Sequence, residues 1–102
     1  MDIVISKNNI PIKLTAERWR HITMGHPEMA NYYHEILTTI ENPFEMYEGS
    51  NLALMAISNK VDEGFVFIVE VYKEKGLEGF VITSYLTKYQ EKFINKKLVW
   101  KQ

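Results

Sequence analysis

The segment His26-Pro27-Glu28 is the first place in this 102-residue chain where residue type and spacing suggest chemistry. Proline is favoured as the first residue of a helix, and it pushes the residue before it to extended geometry. The pattern therefore predicts His26 as the N-cap of a helix, although Ser or Asp would cap better. A helix N-terminus disfavours an imidazolium, and a neutral imidazole can take a proton from a hydroxyl, as a general base must. The simpler alternative is that His26 only caps through a ring nitrogen. His21 lies five residues earlier, near the end of a preceding helix, where the dipole has the opposite bias. The two histidines therefore read as an acid–base pair. Arg18 shares the stripe of His21 and is better placed than Arg20, the other arginine, to reach a phosphate; otherwise it forms an exposed helix salt bridge.

Late in the chain, Thr83 and Tyr85 are two apart. Strand alternation puts them on one face with Val81 and Thr87, and Phe80, Ile82, Ser84 and Leu86 on the other. The hydroxyl row could bind phosphate oxygens, or it could simply be an exposed strand of β-favouring residues. Glu70 and Lys73 fall on opposite faces of the preceding strand, and the hairpin register leaves open which of them joins Thr83 and Tyr85. A metal site from His21, His26 and His34 is not expected, because the spacings do not match the helical His pair of zinc proteases. No cofactor is expected either. The chain has no glycine-rich phosphate loop and no Gly-x-Ser-x-Gly elbow.

These residues need elements to hold them. Ile3–Ile5 and Ile10–Leu14 read as extended around an Asn8-Asn9 turn, with Pro11 placing the second stretch at a sheet edge. Thr15 caps a helix over 16–24 that buries Ala16, Trp19 and Ile22. A second helix over 27–41 presents Met29, Tyr33, Ile36, Leu37 and Ile40, and Asn42-Pro43 stops it. Strands then follow near 44–48, 52–58, 65–73 and 80–87, joined by short connections that favour an antiparallel meander. The expected class is α+β: two N-terminal helices packed on a four-stranded antiparallel sheet.

Composition bounds the rest. The chain is 46% hydrophobic and 25% charged, as a single globular domain over 1–102 should be. The longest uninterrupted run of aliphatic and aromatic residues, Phe65–Val69, is five residues, so no membrane span is expected. The N-terminus shows no charged leader before an apolar stretch, so no secretory signal is expected. The absence of cysteine suits a reducing cytoplasm, the expected compartment. A net charge of −1 argues against a general affinity for nucleic acid. The charge is unevenly spread. Residues 1–87 carry 7 Lys/Arg against 12 Asp/Glu, whereas 88–102 carries five lysines against Glu91. This basic C-terminal tail is either a solvated end or a phosphate-attracting arm.

The segments Leu14-Thr15-Ala16-Glu17-Arg18-Trp19-Arg20-His21-Ile22, His26-Pro27-Glu28-Met29, Asn42-Pro43 and Thr83-Ser84-Tyr85 resemble the phage- and plasmid-borne nuclease domains of the barnase–EndoU–colicin–RelE-like (BECR) group. The resemblance spans about residues 10–90. It implies a two-helix, antiparallel-sheet fold and metal-independent RNA cleavage, often by toxins that an antitoxin partner restrains. In such enzymes histidine, hydroxyl and basic residues move the ribose 2′-hydroxyl proton and stabilise the phosphorane. His26, Thr83 and Tyr85 are the positions onto which that role carries, with Arg18 or His21 supplying charge or the acid. An active ribonuclease must present cations to its transition state, yet the arginine expected on a middle strand is absent from 52–58. The alternatives are a catalytically inactive domain of the same fold that binds RNA or a protein, and a plain interaction module with structural histidines.

Overall fold

The computed structural model describes residues 1–59, 67–88, 93 and 95–102, with Phe67 described for its backbone alone. The chain opens with a hairpin, β1 (Asp2–Ile5) and β2 (Pro11–Leu14), followed by α1 (Ala16–Gly25). A 3₁₀ turn over Pro27–Asn31 leads into α2 (Tyr33–Glu41). Five strands follow: β3 (Glu45–Glu48), β4 (Leu54–Ile57), β5 (Phe67–Lys75), β6 (Glu78–Thr87) and β7 (Leu98–Lys101). They form one sheet in the order β1-β2-β6-β5-β4-β3-β7.

This corrects the expected four-stranded antiparallel sheet. The class remains α+β, but among the described residues the sheet has seven strands and is mixed, because β2 runs parallel to β6. The antiparallel meander over β3–β6 is present, and it is extended at both ends. The N-terminal hairpin docks beside β6, and the C-terminal strand pairs with β3. Pro11 consequently starts an inner strand, and β1 is the edge. A proline without an N–H is tolerated at a strand's first residue. The parallel contact pairs Ile12 with Gly79 and Lys13 with Phe80. It requires Gly79, where a Cβ would lie 2.7 Å from Ile12 Cδ1 and 2.3 Å from the Lys73 carbonyl oxygen.

The helices also need correction. Thr15 caps α1 as expected, accepting from the Arg18 amide at 3.1 Å. The single helix over 27–41 is instead a five-residue 3₁₀ turn and then α2, with Tyr32 between them. His26 precedes that short turn and makes no side-chain cap bond, so the macrodipole argument for it loses its long helix. Met29, Ile36 and Ile40 are wholly buried, while Tyr33 and Leu37 are half-buried against the same core.

The sheet is buried on both faces. Its inner face packs Met46, Ala56, Ile68, Tyr72 and Val81 against Ile22, Met29, Ile36 and Ile40. Its outer face holds a smaller cluster of Tyr47, Met55, Ile57, Val69 and Phe93. Topology explains the second cluster. The connection from β6 to β7 must cross β5, β4 and β3, and Phe93 within it stacks on Tyr47 with ring centroids 5.3 Å apart. The expected basic tail is therefore built into the fold at both Phe93 and β7, while its Glu91 and Lys92 lie outside the described residues. The sheet curls enough that Lys7, at the tip of one edge hairpin, sits 5.0 Å from the ring of Trp100 on the opposite edge strand. Among the described residues no helix is long and apolar enough to cross a membrane.

Candidate functional site

His26 is fixed from both sides by its backbone. Its amide donates to the Ile22 carbonyl at 2.7 Å, closing α1, and its carbonyl accepts from the Met29 amide at 2.9 Å, opening the 3₁₀ turn. Its φ of −136° and ψ of 76° lie outside the α region, which Pro27 disfavours for the residue before it, but short of the extended geometry expected. Both α1 and the 3₁₀ turn pack against β6. This presents the half-buried imidazole to Tyr85, with ring centroids 5.7 Å apart and the planes inclined by 33°. Nδ1 lies 3.6 Å from a Glu28 carboxylate oxygen, an ion-pair distance too long for a hydrogen bond.

Tyr85 lies on the outer face, packed at the margin of its apolar cluster. Burial raises its phenol pKa, so the hydroxyl stays protonated at neutral pH. Thr83 lies two residues away on the same face, opposite Val71. The register settles which partner joins them. Val69 pairs with Tyr85, Val71 with Thr83 and Lys73 with Phe80, so Lys73 is on the site face and Glu70 is on the inner one.

The face assignment from simple alternation needs one correction. Val71 pairs with Thr83 but Tyr72 pairs with Val81, which leaves Ile82 as an extra residue in a β-bulge. Val81 therefore turns into the inner core, and Phe80 joins the face of Thr83 and Tyr85. Sequence alternation could not reveal this, because a bulge reverses phase without any composition signal.

A cleft of about 750 Å³ opens on the outer face. Its floor is Met55, Val71, Ile82 and Tyr85, its walls are the Gly49–Asn51 turn and Phe93, and Phe80 is at its rim, 41% exposed. Two cations line it, Lys73 and Lys96, and among the described residues no carboxylate does. Neither lysine has an ion-pair partner among the described residues, whereas the neighbouring Lys13 and Lys97 pair with Glu78 and Glu48 at 3.1 and 3.9 Å. Sequence reading left Lys73 undecided, counted Lys96 only among the lysines of the basic tail, and missed Phe80 and Phe93; these come to one place only through the bulge and the segment between β6 and β7.

Two expected partners do not reach this place. Arg18 is exposed on α1 and has no side-chain bond among the described residues. His21 is exposed one turn from Glu17, with nitrogen and oxygen 3.9 Å apart. Neither lines the cleft. His34 is elsewhere, on α2, where its ring meets Tyr33 edge-on. Among the described residues no three His, Asp or Glu side chains are grouped closely enough to hold a metal ion. No protein-family model, curated protein or solved structure matches this chain, so its likeness to the BECR nuclease domains stands on the quoted residues alone.

Proposed function

We propose that this protein is a small metal-independent endoribonuclease of the toxin type, acting in the cytoplasm. The observation that carries the reading is the His26 imidazole held against Tyr85 beside a cleft lined by two lysines that have no ion-pair partner among the described residues. His26 takes the ribose 2′-hydroxyl proton, and the 2′-oxygen attacks phosphorus. The P–O5′ bond breaks, and the leaving oxygen collects a proton from Tyr85, which solvent restores. Thr83 hydrogen-bonds a phosphate oxygen. Lys73 supplies the positive charge first assigned to Arg18 or His21, since those two are exposed on another element.

The test is cleavage of a fluorogenic RNA in EDTA. Wild type is expected to give 2′,3′-cyclic phosphate ends, and folded His26→Ala to cleave roughly 10²–10⁴-fold more slowly. Equal cleavage by a folded His26→Ala protein removes His26 from the mechanism. The binding-module reading has one observation in its favour: no arginine joins His26 and Tyr85. Tight RNA binding without cleavage would select it.

A further inference from the structure

The outer-face cleft has features that transfer of a single proton does not need. It is about 750 Å³, within the size range of ligand pockets. Its floor is apolar, which disfavours an inorganic anion as the sole occupant. It also has cations on two different elements, Lys73 on β5 and Lys96 between β6 and β7, with no acidic residue among the described residues that line it. An occupant must therefore combine a flat or apolar body with more than one negative charge. Phe80 supplies a partner for a flat body: its ring stands at the rim, 41% exposed, on the same face as Lys73 and directly opposite it in the ladder. Asn51 and Ser50 add polar side chains at the wall. Asn51 sits there because its turn adopts a left-handed φ of 53°. An aromatic ring, two separated cations and an amide around one hollow is how single-stranded nucleic acid is held. The base stacks, the phosphates meet the lysines, and an amide side chain reads a base edge.

We propose that this cleft is a nucleobase subsite: it takes one unpaired base of a single-stranded RNA, stacked on Phe80, with the flanking phosphates at Lys73 and Lys96. This rests on the ribonuclease reading for its substrate class, and it adds the requirement that the RNA be unpaired beside the scissile bond. A duplex cannot enter, because its bases are stacked on one another and their faces are closed to Phe80.

The test separates the two claims by using an uncleavable probe, a fluorescein-labelled single-stranded 2′-O-methyl RNA, read by anisotropy at several salt concentrations. Phe80→Ala is expected to weaken its binding about 5- to 150-fold, the range found for loss of one stacked base. Lys73→Gln and Lys96→Gln are each expected to flatten the salt dependence by a slope of about 0.7. Lys101→Gln, on the edge strand β7, should change neither the affinity at the cleft nor the effect of Phe80→Ala. The same RNA annealed to its complement should bind much more weakly. Phe80 is 41% exposed and belongs to neither core cluster, so its truncation should leave the fold intact, which far-ultraviolet circular dichroism checks. Cleavage of RNA by wild type with unchanged KM and unchanged probe binding in Phe80→Ala, Lys73→Gln and Lys96→Gln overturns the subsite and leaves the ribonuclease reading standing. Probe binding that depends on all three residues in a protein that cleaves nothing supports the subsite and overturns the ribonuclease reading. Equal affinity for duplex and single strand also overturns the subsite.

Discussion

Glu70 is the most testable residue in the core. It is wholly buried on the inner face between its ladder partners Ala56 and Ser84, whose small side chains leave room for it. The Ser84 hydroxyl donates to Oε2, and Oε1 has no partner among the described residues. Burial raises the carboxyl pKa well above its ordinary 4.5, more than the Ser84 hydrogen bond lowers it. The folded state therefore keeps a proton that the unfolded chain has lost. This stabilisation is fully present below pH 4.5 and is lost as pH rises from there through the raised value. Within that window it falls by about 1.4 kcal/mol per pH unit. Glu70→Gln removes the titration and keeps an oxygen to accept from Ser84. At acidic pH the variant should be about equal to wild type, or lower by up to about 3 kcal/mol where its amide lacks an acceptor. As pH rises, the variant should gain on wild type at about 1.4 kcal/mol per unit, and groups common to both proteins cancel in the difference. Urea unfolding between pH 4.5 and 8, followed by the fluorescence of Trp19 and Trp100, measures it. Parallel pH profiles for the two proteins would refute a protonated, buried Glu70.

Other expectations follow from particular contacts. Ile36→Ala should lose about 2–5 kcal/mol, and Leu37→Ala clearly less, because only Ile36 is wholly buried; chemical denaturation ranks them, and the reverse order would mean α2 is rotated. Gly79→Ala should cost about 1–3 kcal/mol, since its methyl would collide with Ile12 and the Lys73 carbonyl; a neutral effect would argue against the close β2–β6 contact. Phe93→Ala should lower thermal stability by about 3–5 kcal/mol, as for truncation of a buried phenylalanine, because Phe93 anchors the crossing connection on Tyr47; an unchanged melting temperature would detach that connection from the outer core. The Tyr33 phenol should titrate with its midpoint pushed up to about 12, because its hydroxyl donates to Asp2. Asp2→Asn should move that titration down, and ultraviolet difference spectra at 295 nm would show it.

Local signals made much of the chain legible. Thr15 and Pro27 are short-range devices: Thr15 marks the start of α1, and Pro27 keeps His26 out of the α region, though at ψ 76° rather than in the extended geometry expected. The Asn8-Asn9 turn is real, with Asn9 at a left-handed φ of 65°, a conformation asparagine tolerates. The length of the second helix was not legible. Its apolar stripe continues across Tyr32, but a 3₁₀ turn and an α-helix both place residues three apart on one side, so periodicity did not separate them.

The amino-acid sequence by itself determined the local elements: the hairpin, the helix start at Thr15 and the meander of four strands. Each depends on backbone preferences or on side-chain alternation within a few residues. Tertiary structure decided which strands are neighbours, because β2 reaches β6 and β7 reaches β3 through contacts some 40 to 70 residues apart, for which a single sequence has no local signature. It also decided the site. His26 meets Tyr85 across 59 positions, while Arg18 and His21, close by in sequence, remain outside because α1 turns them to solvent. One extra residue at Ile82 carried Phe80 to the face of Lys73, and the geometry of crossing the sheet brought Lys96 to the same cleft.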